Sequence, residues 1–259
     1  MGVANRHSIA WNCVESFLAK GYDCLITHQT EARASKMDSL RTMVAERVYD
    51  HCESRGRILA MIPCDVTVDL PHLFRDQIPD VLASSERACL IDCVVHSIAH
   101  AKNIQRPMVD TALEDYMDAH HVSAYSLLET IRCSRDLIRP DGAAFVTLSY
   151  LGSQRAVPGY GIMGSAKASL EALVRGLAAE NGPDIRCNAV SAGPLRTAAA
   201  RGIPNFSRLH QHVGETNALK RNVTPQEVAD AVLFLAEATG ITGQVLYVDG
   251  GYNSLVPVM

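Results

Sequence analysis

The stretch Ala143-Ala-Phe-Val-Thr-Leu-Ser-Tyr150, followed by residues 159–181 and then by Ile185-Arg-Cys-Asn-Ala-Val190, decides the fold. Its first segment is an almost unbroken apolar run, the pattern of a strand buried on both faces. Gly159 to Asn181 reads as a helix, and a second short apolar run follows within a few residues. A strand, a helix and another buried strand in succession form a parallel pair with a crossover.

The same rhythm extends outward. Further strands are expected at Cys24 to Thr27, Ile58 to Ile62, Cys89 to Val95 and Val245 to Val248. Helices are expected at Ser8 to Lys20, Ala32 to Ser54, Pro71 to Leu82, Leu113 to Ile138 and Pro225 to Glu237. Right-handed crossovers turn this order into a doubly wound, Rossmann-like α/β fold with a parallel sheet. No linker, repeat or low-complexity tract divides the 259 residues, so a single domain over 1–259 is expected. One strand is missing. Residue 2 is already the glycine of a turn and Ser8 already opens a helix, so the strand that normally feeds the first turn has no residues to come from. That strand belongs between Cys24–Thr27 and Cys89–Val95. Its absence leaves a slot with two apolar inner edges, which recruit other strands, and Gly2 with no scaffold except the helix after it.

Composition narrows the function. Lys plus Arg is 24 against 28 for Asp plus Glu, and the charges are dispersed, which argues against a nucleic-acid surface. No apolar run reaches the roughly 18–20 residues of a spanning helix, so no membrane partner is expected. Eight cysteines without a CxxC read as reduced core thiols in a cytosol-like compartment. His120-His121 and His210-x-His212 lack metal-ligand geometry, so no metal is expected.

Two constellations carry chemistry. Gly2-Val-Ala-Asn-Arg-His-Ser8-Ile9 is a glycine-led turn entering a helix N-terminus, where free N–H groups suit a pyrophosphate; an ordinary capped helix is the competing reading. Tyr150 ends a strand, and Tyr160 and Lys167 are seven residues apart, within about 20° on one helical face and roughly 10 Å along its axis. Gly164 between them removes a side chain, leaving room for a ribose along that face. The lysine could bind its hydroxyls and favour phenolate-like character at the tyrosine. On spacing alone, two buried tyrosines and a solvated lysine remain an alternative.

The blocks Thr147-Leu-Ser-Tyr150-Leu-Gly, Met163-Gly-Ser-Ala-Lys167-Ala-Ser-Leu-Glu-Ala and Asn188-Ala-Val-Ser-Ala-Gly-Pro194-Leu-Arg-Thr197 resemble the NADH-dependent enoyl-[acyl-carrier-protein] reductases. This is a divergent branch of the short-chain dehydrogenases, and the resemblance runs from Gly2 to Gly251. Most short-chain dehydrogenases use Tyr-x3-Lys; at that offset from Tyr160 this chain has Gly164, and its Tyr-x9-Tyr-x6-Lys spacing is that of the enoyl reductases. The resemblance implies catalytic roles for Tyr150, Tyr160 and Lys167. It implies cofactor contacts at Gly2, Ser8, Ile9, Gln29, Asp65, Val66, Ile98, Lys167, Leu195, Arg196, Thr197, Ala198 and Ala199, with Ala101 near the acyl thioester. Residues from about 195 to 217 would form a substrate lid, and His96 would be structural. The implied activity is NADH-dependent reduction of a trans-2-enoyl thioester carried on acyl carrier protein, by a cytoplasmic homotetramer. An organellar location would follow if an N-terminal segment is missing from the sequence. Gln29 neither repels nor attracts a 2'-phosphate, so NADH is favoured over NADPH only weakly. Two alternatives stay open: a carbonyl-reducing short-chain dehydrogenase, and a truncated inactive relative that acts by association.

Overall fold

The computed structural model describes residues 1–29, 56–85, 90–197 and 199–255. Its strands are β1 (Cys24–His28), β2 (Ile58–Pro63), β3 (Cys93–His96), β4 (Ala143–Ser149), β5 (Ile185–Ala192) and β6 (Val245–Val248). The helices are α1 (Ile9–Lys20), α2 (Ile78–Ser84), α3 (Leu113–His120), α4 (Ser126–Ser134), α5 (Gly161–Asn181), α6 (Phe206–Thr216) and α7 (Pro225–Glu237). A π-helical turn at Leu73–Gln77 leads into α2, and another at His121–Tyr125 joins α3 to α4. The helix expected at Ala32 to Ser54 lies outside the described residues. So does Cys89, and the strand begins later than expected, because Ile91 turns aside to bridge Ile138.

All pairings are parallel, as the buried apolar runs require. Every residue of β4 is buried, which is why its sequence shows no alternation. α1 and α7 cover one face: Cys13 and Phe17 pack with Val146, Val190, Val228 and Val232. α4 and α5 cover the other, where Leu127, Ile131, Leu170 and Val174 meet Phe145 and Cys187. The helix ends follow local chemistry. Ser8 caps α1 by accepting from the Trp11 N–H, and Gly21 ends it at φ 97°. Thr224 and Glu227 form a reciprocal capping box on α7.

The sheet is split. β3-β4-β5-β6 form one hydrogen-bonded set and β1-β2 another. Among the described residues no strand precedes α1, and the break falls where the missing strand was expected. The expectation that Gly2 lacks a scaffold is corrected. The Met1 amine donates to the Val95 carbonyl at 2.6 Å, and the Ser97 N–H donates back to the Met1 carbonyl at 3.2 Å. On the other side, the Gly2 and Val3 N–H groups both donate to the Thr27 carbonyl, at 3.1 and 3.0 Å. Three residues thus bridge the two half-sheets at their C-terminal ends, one strand-width apart.

Candidate active site

Parallel strands deliver their C-terminal ends to a common edge, and the loops after them form the site. Gly2 sits on this edge at φ 84°, and a Cβ there would collide with the Ser97 carbonyl oxygen, so only glycine lets the turn pass. Ile98 lies against the same point. The turn then enters α1, where the Ile9 and Ala10 N–H groups have no carbonyl one turn back. Ser8 Oγ is already engaged: it donates to the Asn5 carbonyl at 2.7 Å and accepts from the Trp11 N–H at 3.2 Å. The Ser8 hydroxyl is therefore a brace for the turn, and the free donors are main-chain N–H groups.

At the centre, Tyr150 follows β4 and Tyr160 caps the start of α5. Their rings meet edge to face, with centroids 4.9 Å apart and planes at 65°. Tyr160 is buried and packs with Met163 and Ala166, and Ala101, Ile104 and Ile203 join the same cluster. Burial pushes the Tyr150 hydroxyl up to about 12 and raises that of Tyr160 as well, so both are proton donors at neutral pH. The sequence-based reading of Gly164 needs correction. A Cβ there would come within 2.8 Å of the Gly152 carbonyl oxygen, and one on Gly152 would run into the Tyr160 ring. The two glycines let the 151–153 turn close onto α5 and wall in Tyr160, and so the gap beside Gly164 holds main chain.

Lys167 is buried, and its ammonium donates to the Leu148 carbonyl at 2.7 Å. Burial lowers its pKa to about 8, against the opposing pull of Glu171. Glu171 is a site residue that sequence reasoning missed. Its buried carboxylate accepts from Ser149 Oγ at 2.5 Å, Ser153 Oγ at 2.6 Å and Gln154 Nε2 at 3.3 Å. It ties the segment on either side of Tyr150 to the helix that carries Lys167. An acidic residue four positions after a lysine was the available signal, but that pattern also marks exposed helix faces.

His96 is fully buried, with Nδ1 3.1 Å from Thr147 Oγ1 and Nε2 2.8 Å from Ser126 Oγ. Burial and the nearby Lys167 charge drive its pKa down to about 3, so it is a neutral bridge between β3, β4 and α4. Asp65 and Val66 follow β2. Asp65 Oδ1 accepts from the Thr67 N–H and hydroxyl, at 2.9 and 2.7 Å, which holds the carboxyl below its ordinary range. Gln29 is exposed at the end of β1. After β5, the Leu195 side chain joins the core beside α7. Only its main chain is left to face the site edge. Arg196 is exposed and Thr197 accepts from the Ala200 N–H at 3.3 Å. Ala199 opens a short 3-10 turn, and Ala198 lies outside the described residues. Helix α6 occupies about half of the segment expected to form a lid.

A glycine turn at a helix N-terminus, beside a buried Tyr–Lys pair on the edge of a parallel sheet, defines a dinucleotide-dependent oxidoreductase of the short-chain dehydrogenase kind. A family model described as Enoyl-(Acyl carrier protein) reductase matches residues 2–253, and the chain belongs to that family. It is 36% identical to the enoyl-[acyl-carrier-protein] reductase [NADH] FabI of Bacillus subtilis strain 168, over 98% of this chain and 94% of that protein. With the enzyme of the same name from Neisseria meningitidis serogroup B it is 37% identical, over 97% and 92%. Among solved structures, the Bacillus cereus enoyl-acyl carrier protein reductase with NADP+ and indole naphthyridinone superposes with a TM-score of 0.85. That pair is 35% identical over 99% of this chain and 96% of the other. The Aquifex aeolicus enoyl-[acyl-carrier-protein] reductase (NADH) gives 0.84 at 33% identity, over 100% and 96%.

Proposed function

We propose that the protein reduces trans-2-enoyl thioesters carried on acyl carrier protein, with NADH as reductant, in fatty-acid elongation. The observation that carries this reading is the central cluster: two neutral tyrosines in edge-to-face contact, beside Ala101 and above a helix whose next turns hold buried Lys167. The residues fit a dinucleotide. Gly2 allows close approach, α1 offers main-chain N–H groups, and Lys167 uses one ammonium donor on Leu148 and keeps two more for ribose hydroxyls. When bound, the nicotinamide supplies hydride to C3 of the enoyl group.

The chain's own residues do the rest. As hydride arrives, negative charge develops on the thioester oxygen, and the Tyr160 hydroxyl donates a hydrogen bond to it. An oriented donor at such an oxyanion is worth roughly 3–4 kcal/mol. The raised pKa of Tyr160 keeps its proton in place for that bond. Tyr150 supports the Tyr160 ring and shapes the acyl pocket, with C2 protonation completing the reduction. Gly2, Ser8, Ile9, Ile98 and residues 195–199 form the pyrophosphate and nicotinamide side of the cofactor site; Gln29, Asp65 and Val66 form the adenosine side. Residues 195–217 cover the acyl chain as a lid within one domain. A homotetrameric state and cytoplasmic location complete the proposal; among the described residues no helix is long and apolar enough to cross a membrane.

The test is NADH oxidation with crotonyl thioester against an acetoacetyl thioester. Oxidation driven by the enoyl compound alone supports the reading. Turnover of the ketone instead would show carbonyl reduction, and turnover of neither would leave an inactive relative.

A further inference from the structure

Leu148 and Ser149, the last two residues before Tyr150, are each gripped by a buried charge on α5. The Lys167 ammonium donates to the Leu148 carbonyl at 2.7 Å, and one turn further along the helix the Glu171 carboxylate accepts from Ser149 Oγ at 2.5 Å. Lys167 is 4% exposed and Glu171 3%. Beyond Tyr150 the same carboxylate accepts from Ser153 Oγ at 2.6 Å and from Gln154 Nε2 at 3.3 Å. Oε1 takes both hydroxyls and Oε2 takes the amide. All three are accepted bonds, the pattern that suits an ionised carboxylate.

A buried carboxylate is costly unless a cation balances it, and the same holds for a buried ammonium. Lys167 and Glu171 stand four residues apart on α5, the spacing that sets side chains next to each other on a helix. Burial lowers the lysine pKa to about 8, and Glu171 opposes the fall. The other titratable groups around the pair play no such part. On β3, His96 is neutral above about 3, and the Lys167 charge is among the causes. Burial keeps the proton on Tyr150 up to about 12 and raises Tyr160 as well. On β6, burial, Glu171 and Asp249 raise Tyr247, and Arg155 pulls it the other way. Asp249 is taken up by the Gly251 and Asn253 N–H groups. Glu171 is the anion that acts on Lys167.

We propose that Glu171 is a positioning residue of the reductase: its carboxylate keeps the Lys167 ammonium charged for the nicotinamide ribose while tying down both sides of Tyr150. The role rests on the function proposed above, because Glu171 acts through Lys167 and needs no contact with substrate. A residue that only packed the helix against the turn would serve equally well without a charge. Glu171 would not, since loss of its charge leaves a buried ammonium with no anion to offset its desolvation. Replacement by Gln separates the two cases. It keeps the shape and an acceptor oxygen for the serines, and removes the charge.

The experiment follows Lys167 directly, by NMR of protein carrying carbon-13-labelled lysine, with its signal assigned by loss in Lys167→Ala. The readout needs neither cofactor nor substrate, so it tests the role of Glu171 even where the proposed function fails. In the parent the signal should titrate near pH 8. Glu171→Gln should lower that midpoint by about one pH unit or more, the scale of one opposite charge close by. Glu171→Asp, which keeps the charge, should titrate between the two. Ser153→Ala, which removes a donor and leaves the charge, should leave the midpoint where it is. NADH affinity of Glu171→Gln, by fluorescence titration, should match the parent at pH 6 and fall about threefold at pH 7.5, the ratio of charged lysine for midpoints of about 8 and 7. An unchanged midpoint in Glu171→Gln, or an equal fall in Ser153→Ala, would overturn the proposal. Should Glu171→Gln not fold, Glu171→Asp decides alone, and a midpoint no lower than the parent's overturns it. A lowered midpoint with NADH affinity unchanged would uphold the charge coupling and strike the proposed function instead, because Lys167 would then not hold the cofactor.

Discussion

The two halves of the sheet meet the same demand with different success. On the β3 to β6 side, four parallel strands pair in sequence and both faces are covered by helices. The Tyr150–Tyr160–Lys167 cluster stands on this half, braced by Glu171 and His96. On the β1–β2 side, two strands stand apart and the glycine turn is moored by main-chain bonds from three residues. In the proposed function, chemistry at the acyl group rests on the four-stranded set and recognition of the adenosine end on the two-stranded set. Damage confined to the first half should strike turnover, and damage in the second should strike cofactor affinity.

The sharpest test of that division is Tyr160→Phe, which removes one hydroxyl and leaves the ring against Tyr150. Turnover with crotonyl thioester should fall by roughly 100- to 1,000-fold, the loss of one oxyanion donor. NADH affinity, measured by fluorescence titration, should stay within about twofold. A loss of affinity matching the loss of turnover would erase the division. Tyr150→Phe should cost less than tenfold in turnover, because that hydroxyl is placed to shape the pocket.

Lys167 joins the halves in the proposed function, since it stands on α5 and keeps two ammonium donors for the cofactor. Lys167→Ala should weaken NADH binding roughly ten- to a hundredfold, the range for a hydrogen bond to a charged group, and lower turnover as well. Its pKa near 8 lies below the ordinary lysine value. The folded protein therefore loses this charge as pH rises through about 8, and NADH affinity should decline over the same window. The unfolded chain keeps the proton to higher pH, so this group makes stability rise with pH above about 8. A flat affinity profile between pH 7 and 9 would remove the ammonium from the cofactor site.

His96 tests the scaffold itself. Replacing it by Asn should cost about 1–3 kcal/mol of stability through lost buried hydrogen bonds, with kcat/KM within a few-fold of the parent. Its folded-state pKa is near 3, well below the ordinary 6.5. The unfolded chain takes up a proton that the folded chain refuses, so stability falls as pH drops from about 6.5 toward 3. Urea titrations at pH 7 and pH 5 should show this slope in the parent and its absence in His96→Asn.

What could be read from sequence divides along physical lines. Ala143 to Ser149 was legible because a strand buried on both faces has no polar positions to blur it, and the Tyr–Tyr–Lys spacing was legible as a pattern. Glu171 was hidden because only tertiary packing brings Ser149 and Ser153 over it. Gly164 was misread for the same reason, since its neighbour is the carbonyl of Gly152. The moorings of Gly2 depend on Thr27, Val95 and Ser97, which are remote in sequence and adjacent only once the half-sheets assemble. Helix α6 was read only as part of a lid; among its residues only Val213 is buried, so packing leaves little apolar signature.

The smallest effect expected concerns cofactor choice in the open half. Gln29 is exposed where β1 ends, with its carbonyl 3.0 Å from His28 Nδ1, so its amide is available to the adenosine ribose. A neutral amide there neither repels a 2'-phosphate, as a carboxylate does, nor pairs with it, as a guanidinium does. NADH should therefore exceed NADPH in kcat/KM by less than about tenfold, a difference of roughly 1 kcal/mol or less. Gln29→Glu should widen the ratio through charge repulsion, and Gln29→Arg should narrow or invert it, with turnover at saturating cofactor unchanged in both. The division between halves requires that last condition, because among the described residues none of β1 belongs to the packed cluster around Tyr160. A parent that prefers NADPH in that ratio would overturn this reading of Gln29.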